Sequence, residues 1–128
     1  MRRIMLAAAL AAIPFATTLP ASAQDAANGE DVFKKCRSCH RVGEGAKNLV
    51  GPQLNGLIGR KAGSVEGFRY SKANTEAGEK GLVWSEEELM TYLENPRKYM
   101  PGTKMAFAGL KDEQDRKDLI AYLKQFTN

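Results

Sequence analysis

Histidine and cysteine are scarce in this sequence. Its 128 residues hold one histidine and two cysteines. A structural zinc site is closed by four Cys or His ligands, and no second C-x-x-C or second histidine is available to complete one. Strand patterning is missing as well. No segment sustains the apolar–polar alternation of a half-buried strand, so a thioredoxin-like dithiol would lack its βαβ frame. No apolar run is long enough for a membrane-spanning helix, and there are no internal repeats or low-complexity stretches.

What is present is concentrated. Both cysteines and the histidine stand in one run, Cys36-Arg37-Ser38-Cys39-His40. C-x-x-C-H is the attachment pattern of a c-type haem. Cysteines three apart on a helical turn can each form a thioether with one haem vinyl group, and His40 then lies under the ring, where an imidazole nitrogen can bind iron. Covalent tethering suits a small chain that cannot enclose the cofactor tightly. A bare C-x-x-C has two other readings, a redox dithiol and a simple disulfide.

The start of the chain reads as a secretory leader. Arg2 and Arg3 form a basic segment, residues 4–16 are apolar, and Ala21-Ser22-Ala23 is an A-x-A cleavage site. An uncleaved anchor is the alternative. Cleavage assigns residues 1–23 to a signal peptide and 24–128 to one small domain of about 105 residues, exported to the periplasm. An oxidising compartment would also turn two idle cysteines into a disulfide. The formal charge of +4 falls to +2 without Arg2 and Arg3, leaving 17 basic against 15 acidic side chains. The distribution of charge therefore matters more than its sum.

Along the processed chain, residues 26–38 suggest a first helix with Val32, Phe33 and Cys36 on one side and Gly29 offering close approach to another helix. Residues 41–70 hold seven glycines and no period. So long an irregular stretch is expected to wrap around something. Ser71–Ala77 suggests a short helix ending at Gly78. Ser85, with Glu88 as a capping box, opens a helix carrying Leu89, Met90, Tyr92 and Leu93, which Pro96 stops. Residues 97–110 read as irregular. Asp112 caps a last helix to about Phe126, with Leu119, Tyr122, Leu123 and Phe126 as its buried stripe. The expected fold class is all-α, short helices and long ordered loops around one haem, whose apolar area supplements a modest core.

With one histidine, two-histidine ligation is excluded. The candidates for a second axial ligand are Met90, Met100 and Met105, or no protein ligand. Met90 sits in a helix stripe and reads as core. Met100 and Met105 flank Pro101-Gly102-Thr103-Lys104, and spacing does not choose between them.

The runs Asn95-Pro96-Arg97-Lys98-Tyr99-Met100-Pro101-Gly102-Thr103-Lys104-Met105-Ala106-Phe107-Ala108-Gly109 and Gly51-Pro52-Gln53-Leu54-Asn55-Gly56-Leu57-Ile58-Gly59-Arg60-Lys61 resemble class I c-type cytochromes, in particular the cytochrome c2 and mitochondrial cytochrome c group. The resemblance runs from about Gly29 to Phe126. It implies a small cytochrome c fold with His40 and Met105 as axial ligands and Met100 as a packing residue. It further implies that the Pro52 carbonyl accepts the His40 ring N–H, which fixes the ring and raises its basicity. By the same resemblance Arg60, Tyr70, Trp84 and Thr103 serve the haem propionates, Asn74 and Tyr92 lie near the methionine face, Phe107 covers the exposed ring edge, and Gly29 and Phe33 cross Leu119 and Tyr122. The segment Thr75–Gly81 looks a few residues longer than in the mitochondrial form.

His/Met ligation raises the reduction potential, and two filled axial positions leave no place for substrate or oxygen. The expectation is an electron carrier rather than an enzyme, and the resemblance implies a cytochrome bc-type complex as donor, with a terminal oxidase, photosynthetic reaction centre or other periplasmic redox enzyme as acceptor or donor. A basic patch of Lys35, Arg37, Lys47, Arg97, Lys98, Lys104 and Lys111 would steer it to acidic docking faces, although Glu44 and Asp112 interrupt it. The pattern suits a monomer that touches membrane complexes transiently and binds no nucleic acid. A small haem enzyme or gas sensor and a haem-free thiol–disulfide protein are the competing classes.

Overall fold

The computed structural model describes residues 9, 11–17 and 24–127. The expected leader over residues 1–23 lies largely outside them. The described chain forms five helices, α1 (Ala26–Phe33), α2 (Lys72–Glu79), α3 (Glu86–Glu94), α4 (Pro96–Tyr99) and α5 (Glu113–Leu123). Extended pairing among the described residues is limited to one isolated antiparallel bridge between Lys61 and Val83.

Helices α1 and α5 make the frame. Asp25 caps α1, its carboxylate accepting from the Ala27 and Asn28 N–H groups at 2.9 and 3.1 Å. Asp112 caps α5 by accepting from Asp115 N–H at 2.8 Å. The two helices cross at Gly29, where a Cβ would stand 2.0 Å from the Asp118 carbonyl oxygen. The Phe33 and Tyr122 rings pack beside the crossing, 5.5 Å apart.

A buried carboxylate locks this frame. Asp118 accepts the Asp25 backbone N–H, the Asn28 amide and the Gln114 amide, each at 2.8 Å. Burial acts to raise the Asp118 pKa, but the three donors outweigh it and hold the pKa below its ordinary 3.8. A folded-state pKa below the unfolded one gives stability that is complete above the ordinary Asp range and is lost as pH falls through the folded value. The denaturant midpoint should therefore drop on acidification below about pH 4. The drop should be smaller in Asp118→Asn, which starts from a lower midpoint. Parallel acid titrations of the two proteins check this.

The first helix is shorter than the periodicity suggests. Regular α1 stops at Phe33, and residues 34–39 continue as turns in which Cys36 N–H and Arg37 N–H both donate to Phe33 O, and His40 N–H donates to Cys36 O at 2.9 Å. The attachment motif thus rides on a tightened continuation of α1. In α2, Ser71 is the cap, with its hydroxyl accepting from Asn74 N–H at 3.1 Å. Gly78 does not end this helix. It lies inside it and buried, because any Cβ there would meet the Ala62 carbonyl oxygen at 2.0 Å.

Ser85 caps α3 through Glu88 N–H at 3.1 Å. The return half of the expected capping box is absent, because the Glu88 carboxylate instead accepts the Tyr99 hydroxyl. This contact and burial push the Tyr99 phenol up to about 12. Pro96 ends α3 and also begins α4, with Asn95 as cap accepting from Lys98 N–H at 3.2 Å. Residues 97–99, expected to be irregular, are helical for this reason: proline is well placed at a first helical position.

The glycine-rich loop is ordered, as its role requires. Asn55 ties it across, accepting from Gly43 N–H and donating to Gly43 O, both at 2.8 Å. Glycines 43, 45, 56, 59, 63 and 67 all have positive φ, where a side chain would be strained.

Candidate haem-binding site

The loop wraps a cavity of about 770 Å³, a volume suited to one cofactor-sized ligand. Every residue singled out from the sequence lines it: Cys36, Cys39, His40, Pro52, Arg60, Tyr70, Asn74, Trp84, Tyr92, Thr103, Met105 and Phe107. Much of the rest of the wall is apolar, with Leu54, Leu57, Leu89, Leu93, Leu119 and Leu123 among the lining residues. Sequence reading gave the last four only as core stripes of α3 and α5, whereas here they also face the cavity.

The loop that follows the attachment turn sets the histidine. His40 Nδ1 lies 2.8 Å from the Pro52 carbonyl oxygen, so the N–H is on Nδ1 and Nε2 keeps its lone pair. Burial pulls the His40 pKa below its ordinary value, the bond to Pro52 opposes this, and the Arg60 charge adds to it. Gly51 holds the ring from another side. Its N–H donates to Cys39 O at 2.9 Å, and a Cβ on it would stand 2.4 Å from His40 Cε1. The sequence reading assigned Gly51 no contact, because the approach to His40 exists only once the loop has folded against the attachment turn. Gly51→Ala should force the imidazole off the Pro52 carbonyl. The expected result is a lower yield of haem-loaded protein and a reduction potential shifted downwards, measured by haem stain and redox titration.

The methionines separate by position. Met100 is buried in the core at 5% exposure, and Met90 packs against that core. Only Met105 of the three lines the cavity. The Tyr92 hydroxyl donates to Met105 Sδ at 3.7 Å, and Met105 N–H donates to Thr103 Oγ1 at 3.3 Å. Burial pushes the Tyr92 phenol up, against the pull of a hydrogen bond with Thr103, so Tyr92 is a neutral donor. The Trp84 and Tyr92 rings pack at 4.8 Å, tilted by 49°, and the Tyr99 ring lies 5.6 Å from that of Tyr92.

The walls fit a haem. Arg60 is part-buried in the cavity lining and has no carboxylate partner among the described residues, whose ion pairs use Lys34, Lys72, Lys117 and Lys124. It donates to the backbone oxygens of Gln53 and Asn55 at 3.0 and 3.2 Å. Burial lowers its pKa, an effect the Tyr70 hydroxyl counters. A desolvated guanidinium without a counter-ion is costly, and a carboxylate-bearing ligand would relieve that cost. Asn74 Oδ1 is buried and unpartnered, an acceptor left open beside the same space. Tyr70 closes its hydroxyl on Val65 N–H at 3.0 Å.

Cys36 does not suit thiol chemistry. Both cysteines are free, and burial pushes the Cys36 thiol up to about 11, Lys35 opposing this and Cys39 adding to it. A reactive dithiol needs the opposite, a thiolate near neutral pH.

The family model for cytochrome c matches residues 26–127. The chain belongs to the cytochrome c family. It is 58% identical over 111 residues to cytochrome c2 of Blastochloris viridis, covering 87% of this chain and 85% of that protein. It is 61% identical over 100 residues to cytochrome c-550 of Ancylobacter novellus, covering 78% and 94%. The solved structure of cytochrome c2 from Rhodospirillum centenum superposes with a TM-score of 0.76 at 52% identity, over 81% of this chain and 99% of that one. As a cytochrome c, the protein carries one covalent c-type haem and is an electron carrier, not an enzyme, and Cys36, Cys39 and His40 have the C-x-x-C-H spacing. Its fold is the small all-α cytochrome c fold expected from the sequence.

Proposed function

We propose that the protein is an exported, leader-processed periplasmic shuttle whose haem iron is held by His40 and Met105. The observation that supports this most is the sorting of the methionines: Met105 shares the cavity with His40, while Met100 and Met90 belong to the core. When bound, the haem supplies a one-electron couple. The protein supplies the rest. Pro52 and Gly51 fix the imidazole. Tyr92 and Thr103 position the thioether segment. Arg60 is the cation for the propionates, with Tyr70, Trp84, Asn74 and Phe107 completing the wall. Leucines from α3 and α5 exclude water, which favours the less charged ferrous state. No helix among the described residues is long and apolar enough to cross a membrane.

The partners in this reading are a cytochrome bc-type complex on one side and a terminal oxidase or photosynthetic reaction centre on the other, met by a monomer. Lys35, Arg37, Lys47, Arg97, Lys98, Lys104 and Lys111 are all exposed. Among the described residues none of them is in an ion pair. Lys35 and Lys104 adjoin the cavity directly. Leu49 and Val50, exposed at 45% and 79%, also line it and add apolar surface at the cavity. Arg69, absent from the sequence-derived patch, is exposed and lines the cavity too.

The test is a visible spectrum of protein purified from the periplasm, oxidised and reduced, with and without carbon monoxide. A low-spin ferrous spectrum indifferent to carbon monoxide is the expected result. A carbon monoxide-sensitive spectrum would mean an open iron and would turn the reading to ligand binding. Electron-transfer rates to an acidic acceptor should fall as ionic strength rises, because exposed charges are screened over about 10 Å at 0.1 M salt.

A further inference from the structure

We propose that Glu88 is a positioning residue for the axial methionine: with Tyr99 it forms a latch that keeps the Met105 segment closed over the cavity. The proposal rests on the reading that Met105 is an axial ligand. The segment needs such a latch. Among the described residues, none of residues 104–109 takes part in a backbone–backbone hydrogen bond. Pro101, Gly102, Lys104, Ala106 and Ala108 are exposed. A stretch so poor in internal bonds opens locally at little cost unless it is held at its ends.

Both ends are fastened to α3. At the far end Leu110 N–H donates to Leu93 O at 2.7 Å. Gly109 packs so closely there that a Cβ on it would stand 2.1 Å from the Glu94 carbonyl oxygen. At the near end, Thr103 N–H donates to Met100 O at 3.0 Å, which ties the turn back to α4. The end of α4 is in turn tied to α3 by the Tyr99 hydroxyl, which donates to the Glu88 carboxylate. A carboxylate acceptor makes such a bond roughly twice as strong as a neutral one. Glu88 is half-buried and in no ion pair among the described residues.

The latch reaches the methionine through one ring. Glu88 and Tyr92 are four apart on α3 and so share a face. The Tyr99 ring stands edge-on to that of Tyr92, at 5.6 Å and 79°, and the Tyr92 hydroxyl donates to Met105 Sδ at 3.7 Å. Fixing the Tyr99 hydroxyl on Glu88 therefore fixes the ring that backs the thioether's donor. The carboxylate is spare for this work, because the Ser85 cap uses only the Glu88 backbone N–H.

The experiment is stopped-flow binding of imidazole to the oxidised holoprotein. Imidazole reaches the iron only after the Met105 thioether has moved away, so at high imidazole the rate should saturate at the opening rate of the segment. Glu88→Ala and Tyr99→Phe should each raise the saturating rate about fivefold, the worth of one partly exposed hydrogen bond. The double variant should gain nothing more, since both changes remove the same bond. Glu88→Gln keeps an oxygen acceptor and should restore most of the parent's slow rate. Asp118→Asn, weakened at the α1–α5 crossing, should open at the parent's rate despite its lower denaturant midpoint. Single variants at the parent's rate, effects that multiply in the double variant, or an equal rise in Asp118→Asn would overturn the latch while leaving the ligand reading intact. A ferrous parent that binds carbon monoxide as freely as an open haem would overturn both.

Discussion

Met105→Ala should abolish the low-spin ferrous spectrum and lower the reduction potential on the order of 0.2 V. At 59 mV per tenfold for one electron, that is a loss of some three orders of magnitude in preference for the ferrous state. The reasoning starts from sulfur. A thioether is a soft, neutral donor that stabilises ferrous iron, and His/Met sets have high potentials for that reason. Alanine offers no donor and opens space in the wall, which water or added carbon monoxide can enter. The comparison with Met100 makes the experiment decisive. Met100 is buried at 5% exposure and does not line the cavity. Met100→Leu, which keeps volume, should cost under about 1.5 kcal/mol of stability and leave spectrum and potential in place. If the two variants exchanged phenotypes, the ligand assignment would be wrong. Paired redox titrations and carbon monoxide difference spectra read both outcomes.

The two methionines also show where sequence reading ends. Both flank one short irregular segment, both are apolar, and spacing is silent between them. Burial separates them, and burial follows from how α4 turns the chain. That helix was itself hidden, because Pro96 was read only as a stop. Asn95 and Pro96 form a cap and first position as readily as an ending. Gly78 misled in a related way. Its propensity suggests a terminus, but the close approach of the Ala62 carbonyl makes it a contact point within α2. Local chemistry was legible. The C-x-x-C-H turn, the Ser85 and Asp112 caps and the buried Leu119 and Leu123 of α5 depend on residues a few positions apart, although α5 ends at Leu123 and leaves Phe126 outside it. The Glu88–Tyr99 contact, the Gly51–His40 contact and the double role of the α3 and α5 leucines depend on residues brought together only by folding.

Gly29→Ala tests the frame on which the site hangs, and its expected effect on stability is the largest of any single methyl group added here. The new Cβ would stand 2.0 Å from the Asp118 carbonyl oxygen, 2.6 Å from its carbonyl carbon and 2.8 Å from Tyr122 Cβ. Two of these neighbours are backbone atoms, so no rotamer change relieves the clash. The helices must separate, and three things loosen together: the Phe33–Tyr122 packing, the Asp118 clasp on Asp25 and Asn28, and the leucines that α5 lends to the cavity. Overpacking usually costs 1–3 kcal/mol. A clash against backbone belongs at or above the top of that range, so a loss of about 3 kcal/mol or more is expected. Alanine's better helix propensity returns at most about 1 kcal/mol. Against a typical total of 5–15 kcal/mol the variant should still fold at low temperature, with a denaturant midpoint well below the parent's. Because Cys36 and His40 follow directly on α1, the damage should reach the site as a lower yield of haem-loaded protein. An unchanged midpoint would mean that α1 and α5 do not cross at Gly29.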